Sequence, residues 1–121
     1  MKNNTFNSLK KDREFQIIYN FGKKEFGYYS LIFFKKNEAE ENKIGFVASK
    51  KTGNAVCRNR LKRLFKEYFR KNICEIKNGY DIICVAKKKA GENIETLSYN
   101  DIKKDLDKVL KRANIKIEKR D

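Results

Sequence analysis

Apolar residues recur with helical spacing in one long segment near the middle of the chain. At about 100° per residue, one stripe of a helix collects Cys57, Leu61, Leu64, Phe65 and Tyr68. Asn54, which follows the turn residue Gly53, is a suitable N-cap. The pattern therefore predicts an amphipathic helix over residues 55–72, with this stripe facing a core.

A second helical pattern lies near the N-terminus. Residues 5–22 end in a predicted helix whose N-cap is Ser8 or Asp12 and whose stop is Gly22 in the C′ position. One apolar group on this helix comprises Ile17, Ile18 and Phe21.

A third helix is predicted over residues 98–113. Ser98, with Asp101 three positions later, is typical of a capping box. The expected core stripe comprises Ile102, Leu106, Val109 and Leu110. The acidic positions Asp101, Asp105 and Asp107 alternate with lysines, with Asp101–Lys104 and Asp105–Lys108 at i,i+3, which is typical of an exposed face and makes a metal site there a poor hypothesis.

The segments between these helices have the composition of strands. Residues 26–36 predict one long strand, or two pieces interrupted at Gly27. Leu31 and Phe33 share one face, and Ile32 and Phe34 share the other, so this strand is apolar on both sides.

Two more strands flank the central helix. Residues 43–49 predict a strand that follows an acidic hairpin loop at residues 37–42, and the apolar run YDIICVA at residues 80–86 predicts a buried one. Strand, helix and strand in this order indicate one β-α-β crossover.

Length and composition indicate a single domain with an unusual cationic character. The chain has 121 residues, a formal net charge of +14, nine Phe and six Tyr. Residues 1–7 and 114–121 are expected to be flexible ends. Three cysteines with no C-x-x-C spacing and no histidine disfavour disulfide frameworks and zinc sites, so we expect reduced, mostly buried thiols.

The positive charge is concentrated in residues 50–71, which hold nine Lys or Arg and one Glu. On the predicted helix, Arg58, Lys62 and Lys66 are like charges at i,i+4 spacing, an arrangement that costs stability. A polyanion such as RNA would offset this repulsion. The alternative is a solvated helix that happens to be basic. Lys87, Lys88 and Lys89 form a shorter basic run. It is interpreted as a solvated turn rather than as a secondary phosphate contact.

Phe15 and Tyr19 stack one turn apart on the N-terminal helix, away from its other apolar group. Two interpretations are open. The two rings are a platform for unstacked bases, or they belong to a wide helix face that is buried in the core.

The order of residues around the start of the central helix resembles the signature of the protein subunit of bacterial ribonuclease P. The matching positions are Lys50, Lys51, Gly53, Ala55, Val56, Arg58, Asn59, Arg60, Lys62 and Arg63. The likeness extends, more loosely, over most of the chain.

This resemblance implies a single α+β domain in which a helix is followed by a mainly antiparallel sheet with a β-α-β crossover and a terminal helix. It implies a left-handed crossover and a fold similar to the ribosomal protein S5 domain 2-like fold.

The resemblance also implies a function in removal of the 5′ leader from precursor tRNA. The protein would bind the ribonuclease P RNA and the single-stranded leader, while the RNA performs the Mg²⁺-dependent hydrolysis and the protein alone binds no cofactor. The expected RNA-binding residues are Lys50, Lys51, Arg58, Asn59, Arg60, Lys62, Arg63, Lys66 and Arg70. The residues expected to line a leader-binding cleft are Phe15, Tyr19 and Phe33.

Several function classes are disfavoured. A chain without histidine, a nucleophile elbow or a phosphate-binding glycine loop has no evident catalytic or metal-ligating residues of its own. No apolar run is long enough for a secretion signal or a membrane span, so we expect a cytoplasmic protein without a membrane or protein partner. The remaining rivals are a structural RNA-binding protein of ribosomal type and a polybasic module on anionic membranes, and the second lacks the required lipid-facing layering.

Overall fold

The computed structural model describes residues 6–117 of the chain. Its strands are β1 (Asn7–Ser8), β2 (Lys23–Phe26), β3 (Ser30–Lys36), β4 (Lys43–Val47) and β5 (Tyr80–Ala86). Its α-helices are α1 (Asp12–Phe21), α2 (Ala55–Asn72), α3 (Lys88–Glu92) and α4 (Tyr99–Arg112), and short 3-10 turns occupy Lys50–Thr52 and Ile73–Glu75. None of the helices in this part of the chain has the length and apolar character needed to cross a bilayer.

The described strands form one five-stranded sheet in the order β1-β4-β5-β3-β2. Its central strand β5 is parallel to β4 and antiparallel to β3, so the antiparallel strands β2, β3 and β5 are joined to the parallel pairing of the crossover. The unit β4-α2-β5 is the predicted crossover. The predicted strand over residues 26–36 is interrupted at Gly27, and β2 extends further back, to Lys23, than the sequence pattern indicated.

Residues 37–42 are not the predicted hairpin loop, because β5 lies between β3 and β4. Ile82, Ile83 and Cys84 of β5 are fully buried, and a strand that is apolar on both faces gains most burial at the centre of a sheet. The loop therefore crosses the end of β5. It is held there by hydrogen bonds from Asn37 N to Gly79 O (2.8 Å) and from Tyr80 N to Asn42 Oδ1 (2.9 Å).

One face of the sheet carries the main core. The predicted stripes of α2 and α4 pack there, and Ile32, Phe34, Ile44, Ile82 and Cys84 supply the sheet side. Leu61, Phe65, Tyr68 and Phe69 of α2 are buried, as are Ile102, Leu106, Val109 and Leu110 of α4. The two longest helices are therefore anchored on the same side of the sheet.

The opposite face is covered only in part, by the short helix α1. The buried centre of this face consists of Leu9, Ile18 and Ile83, and half-buried apolar residues surround them. The predicted apolar group on α1 is partly wrong, because Ile17 and Phe21 are exposed and only Ile18 is buried. A ten-residue helix cannot cover a five-stranded sheet, so this face stays partly open.

The helix ends follow the predictions for α2 and α4 but not for α1. Asn54 caps α2, accepting from Cys57 N at 2.9 Å, and Ser98 and Asp101 form the capping box of α4. Helix α1 has Lys11 as N-cap instead of Ser8 or Asp12, and the Glu14 carboxylate accepts from Lys11 N at 3.2 Å. A charged N3 side chain thus replaces the expected cap.

Gly22 ends α1 as predicted, but for a different reason. Its φ of −82° is ordinary extended backbone, not the left-handed C′ conformation. A Cβ at this position would lie 2.5 Å from Ile18 O and 2.8 Å from Phe34 O. Glycine is therefore required because the helix end packs directly against the backbone of β3.

The chain ends are packed where the structure describes them. Phe6 contacts the Phe46 and Phe69 rings, and Ile115 is fully buried. Ile117 N donates to Glu75 O at 2.7 Å, so the chain is hydrogen-bonded to the turn that follows α2. The rest of both predicted flexible ends lies outside the described residues. Of the cysteines, Cys84 is buried, Cys57 is half-buried and Cys74 is exposed, so the expectation of mostly buried thiols is only partly correct.

Asp105 is buried, contrary to its predicted place on an exposed face beside Lys108. It is 6% exposed, and its two carboxylate oxygens accept from Tyr28 N (2.6 Å), Tyr29 N (3.0 Å) and Ser30 Oγ (2.9 Å). Turn amides that have no partner in the sheet need an acceptor, and a carboxylate supplies one at each oxygen. Asp105 therefore fixes the β2–β3 turn on α4.

We predict that Asp105→Asn lowers the free energy of unfolding by about 1–3 kcal/mol, because an amide replaces one acceptor oxygen with a donor that faces the turn. Chemical denaturation measures this change. Asp12→Asn, an exposed substitution in the first turn of α1, is the matched control and should change stability far less. Equal losses in the two variants would contradict the assigned role of Asp105.

Candidate RNA interface

The outward face of α2 carries most of the predicted RNA-binding residues. Asn59, Arg60, Arg63, Lys66 and Arg70 are exposed, and Arg58 and Lys62 are half-buried. The buried stripe on the other side of the helix holds this face in one orientation. Amphipathic periodicity thus separates the core side of α2 from a cationic side.

Most of these cations have no acidic partner. In the part of the chain that the structure describes, Arg58, Arg60, Lys62, Arg63 and Lys66 form no ion pair. Arg70 differs, because it contacts Glu67 at 2.6 Å and holds the pKa of that carboxyl below its ordinary value. The N-terminal two thirds of α2 is therefore the part whose charge is uncompensated.

A basic groove runs between α2 and the edge of β4, where the short strand β1 ends. One wall of the groove consists of cationic and polar side chains of α2, and the other consists of residues of β1, β4 and the loop after β1. The groove has a volume of about 430 Å³. The lining residues are Asn59, Lys62, Arg63, Lys66, Ser8, Leu9, Ile44, Gly45 and Phe46.

The predicted cleft residues meet on the half-covered face of the sheet. The Phe15 and Tyr19 rings are 6.4 Å apart, and Tyr19 meets Phe33 edge-on at 4.8 Å. All three are half-buried and pack around Ile18 and Ile83. Partial burial raises the pKa of the Tyr19 phenol. The interpretation as buried core holds in part, because these side chains close a small core. They also remain partly accessible, and their use as a platform for bases stays a prediction. We call these three residues the aromatic cleft.

Gly45 connects the aromatic cleft to the basic groove. It lines the groove, and a Cβ at this position would lie only 2.6 Å from Phe15 Cζ. In the sheet it pairs with Ile83, which pairs with Phe33. Gly45 is not among the residues predicted for the site, although a glycine inside a strand signals close approach of another group.

An apolar row continues the aromatic cleft along the sheet. Phe26, Leu31, Val85 and Val47 are register partners across β2, β3, β5 and β4, so they share the face of Phe33. The last three are half-buried and Phe26 is exposed. The sequence predicted a strand with two apolar faces, but it did not show which face would stay open.

Two basic runs meet where β4 and β5 end. Lys50 and Lys51 are exposed on their 3-10 turn. Helix α3 packs against that turn, and Gly91 lies so close to the Thr52 carbonyl that a Cβ would collide with it. This brings the run Lys87 to Lys89, predicted to be a solvated turn, beside the predicted RNA-binding lysines. Lys88 and Lys89 begin the short helix α3, while Lys87 Nζ donates to Gly27 O at 2.9 Å.

Comparisons with known proteins decide between the RNA-binding alternatives. The family model for ribonuclease P matches residues 4–114. A ribonuclease P protein component of Fusobacterium nucleatum is 63% identical over 109 residues, which cover 90% of this chain and 98% of that protein. This chain belongs to the ribonuclease P protein family. A second relative, the ribonuclease P protein component of Clostridioides difficile, is 38% identical over 115 residues that cover 94% of this chain and 97% of the relative.

Solved ribonuclease P proteins have the same fold. The protein from Thermotoga maritima matches with a TM-score of 0.81 at 34% identity, over 88% of this chain and 96% of that one. The Staphylococcus aureus protein matches with a TM-score of 0.80 at 31% identity, over 92% and 98%. The predicted α+β domain is confirmed, whereas the left-handedness of the crossover stays a prediction from resemblance.

Membership of the ribonuclease P family makes the chain a subunit of the endoribonuclease complex that processes the 5′ end of tRNA, with ribonuclease P RNA as its partner. A structural RNA-binding protein of ribosomal type is not favoured.

We predict that Lys66→Gln leaves the fold unchanged or slightly more stable, by a few tenths of a kcal/mol, because it removes a like charge four residues from Lys62. The same variant should weaken binding to ribonuclease P RNA and reduce the slope of log affinity against log salt by roughly 0.7–0.9. Thermal melting and filter binding at several salt concentrations measure the two effects.

Lys36→Gln, at the exposed end of β3, removes the same charge away from α2 and is the control. If both variants change the salt slope equally, the charge of α2 has no special role.

Proposed function

We propose that this chain binds ribonuclease P RNA through α2 and the basic groove, and binds the single-stranded 5′ leader of precursor tRNA in the aromatic cleft. The observation that carries this proposal is the contact of Phe15 with Gly45, which makes a cationic groove and an aromatic surface neighbours. Phosphates and bases of one RNA strand need these two kinds of surface side by side.

The uncompensated cations support RNA as the partner of α2. Arg58, Arg60 and Arg63 offer planar donors that match phosphate oxygens, and Lys62 and Lys66 add point charges. Contacts to phosphates fix position without reading sequence. Docking on a large folded RNA through such a face depends on shape and charge.

The partial burial of the aromatic cleft supports a leader site that tolerates many sequences. Half-buried rings are held in place by the small core around Ile18 and Ile83, yet each keeps an accessible surface. Every base has a π-face that can stack on such rings, worth about 1–3 kcal/mol per base. Mature tRNA lacks the leader, so the cleft would favour substrate over product.

The chemistry of hydrolysis is assigned to the RNA. Among residues 6–117, no group of three or more Asp, Glu, Cys or His side chains is placed to hold a metal ion. The best-positioned carboxylates have other partners: Asp105 binds the β2–β3 turn, Asp101 caps α4, and Asp107 contacts Lys103 at 2.7 Å and Tyr68. The donor set of the described chain therefore does not fit Mg²⁺, which supports the proposal that the RNA partner holds the ion.

We predict that Phe15→Ala combined with Tyr19→Ala weakens binding of precursor tRNA to the reconstituted complex by about ten-fold or more, and leaves mature tRNA unaffected. Equilibrium binding with both tRNAs measures the difference. Phe21→Ala is the matched control, because Phe21 is an aromatic of the same helix that is 75% exposed. Equal losses for precursor and mature tRNA would refute the cleft assignment.

Reconstitution tests the whole proposal. Adding the purified chain to a bacterial ribonuclease P RNA at low Mg²⁺ should increase the rate of precursor cleavage, because the protein neutralises phosphates that would otherwise need cations. Cleavage by the chain without RNA, or no effect of the chain on the RNA, would overturn it.

A further inference from the structure

A notch outside the predicted site lies between the β2–β3 turn and α4, at the β2 edge of the sheet. Gly27, Tyr28 and Tyr29 form one wall, and Lys104, Lys108 and Arg112 project from the helix on the other. Its volume is about 420 Å³, within the range of pockets that hold small ligands. We call it the turn notch.

The rim of the turn notch is aromatic and accessible. Phe26 is 54% exposed and Tyr28 is 55% exposed. Tyr29 meets the Tyr28 ring edge-on at 4.7 Å, and Lys89 Nζ lies 4.4 Å from the centre of the Tyr28 ring. Exposed rings surrounded by cations are suited to stacking with bases of a polyanionic strand.

The backbone of the turn that carries these rings is anchored to α4. Both Asp105 oxygens are used by the backbone of Tyr28 and Tyr29 and by the Ser30 hydroxyl. Arg112 adds an ion pair with Glu25 at 3.2 Å and a hydrogen bond to the Phe26 carbonyl. A ligand that stacks on Tyr28 therefore does not have to order the turn first.

The charge that the turn notch presents is positive. Lys104 and Lys108 form no ion pair in the described part of the chain. The two carboxylates that line the notch are engaged elsewhere, since Asp105 binds the turn and Asp101 accepts from the Ser98 backbone at 2.9 Å. The lysines are thus the groups available to an anion.

The register of the sheet connects the turn notch to the aromatic cleft. Phe26 shares the open face with Leu31, next to Phe33, and two more cations approach its ring, Lys24 at 5.8 Å and Lys87 at 6.0 Å. From β4 beside the basic groove to β2 beside the notch there are three strand spacings of about 4.8 Å, roughly 14 Å in all.

We propose that the turn notch is a second contact for single-stranded RNA, in which a base stacks on Tyr28 and Lys104 and Lys108 bind an adjacent phosphate. This inference rests on the proposed function: a leader that leaves an RNA docked at α2 crosses the aromatic cleft, passes Phe26 and ends in the notch. Only leader nucleotides far from the cleavage site reach it.

The test uses the full chain assembled with ribonuclease P RNA and three tRNA probes: mature tRNA, a precursor with a leader of about 3 nucleotides, and a precursor with a leader of about 10. Tyr28→Ala, which removes the ring, should weaken binding of the long-leader precursor by about ten-fold. Lys108→Glu, which reverses the charge, should weaken it several-fold. Neither variant should affect the short-leader precursor or mature tRNA. Tyr28→Phe, which keeps the ring, should retain long-leader affinity.

The controls make the same chemical changes elsewhere on the surface. Phe21→Ala removes another exposed aromatic ring, and Lys36→Glu reverses another exposed lysine. Both should leave the preference for the long leader intact, and thermal melting of every variant checks that the fold is retained. A 5-iodouridine at successive leader positions should photo-crosslink to Tyr28 from positions several nucleotides farther from the cleavage site than those that reach Tyr19.

Unchanged long-leader affinity in the Tyr28 and Lys108 variants, or equal losses for all three tRNAs, would overturn the proposal. If the proposed leader-binding function itself is wrong, the result is different. The wild-type complex then does not distinguish precursor from mature tRNA, and the Phe15 and Tyr19 variants have no effect.

Discussion

The burial of β5 on both of its faces is the constraint on which the rest of the molecule depends. Ile82 and Cys84 face α2 and α4, Ile83 faces α1, and all three are inaccessible. Because this strand takes the centre of the sheet, β3 and β4 are separated and the chain must cross over through α2. The result is a sheet with one fully packed face and one that is only half covered. The half-covered face leaves part of each ring of the aromatic cleft accessible.

The packed face makes the cationic helix possible. A helix with stacked like charges at Arg58, Lys62 and Lys66 is unfavourable alone, but burial of the Phe65, Tyr68 and Phe69 side chains anchors it to the core. Each such aromatic contributes about 1.5–3 kcal/mol, against a few tenths for each like-charge pair. Burial in the core therefore outweighs this repulsion, so the helix does not depend on a bound polyanion to form.

Local signals in the sequence were sufficient for α2 and α4. Periodicity over 14 to 18 residues and the caps Asn54 and Ser98 depend on residues that are near in the chain. What could not be predicted depends on distant ones. The position of β5 between β3 and β4, the use of Asp105 by a turn 75 or more residues earlier, and the burial of Ile115 all require the assembled sheet. An acidic residue between lysines is typical of an exposed face, and nothing nearby in sequence indicates that a turn needs its oxygens.

The candidate site follows the same division. The cationic set on α2 could be predicted because helix periodicity places it on one face, and the resemblance named Phe15, Tyr19 and Phe33 without showing how they meet. Their meeting depends on Gly45, since any side chain there would collide with the Phe15 ring and push α1 away from the sheet. The absence of a single Cβ thus sets the spacing between the aromatic cleft and the basic groove. A short helix that is held this closely closes a small core with one side of its rings and leaves the other side accessible, and this is the side that we propose binds RNA.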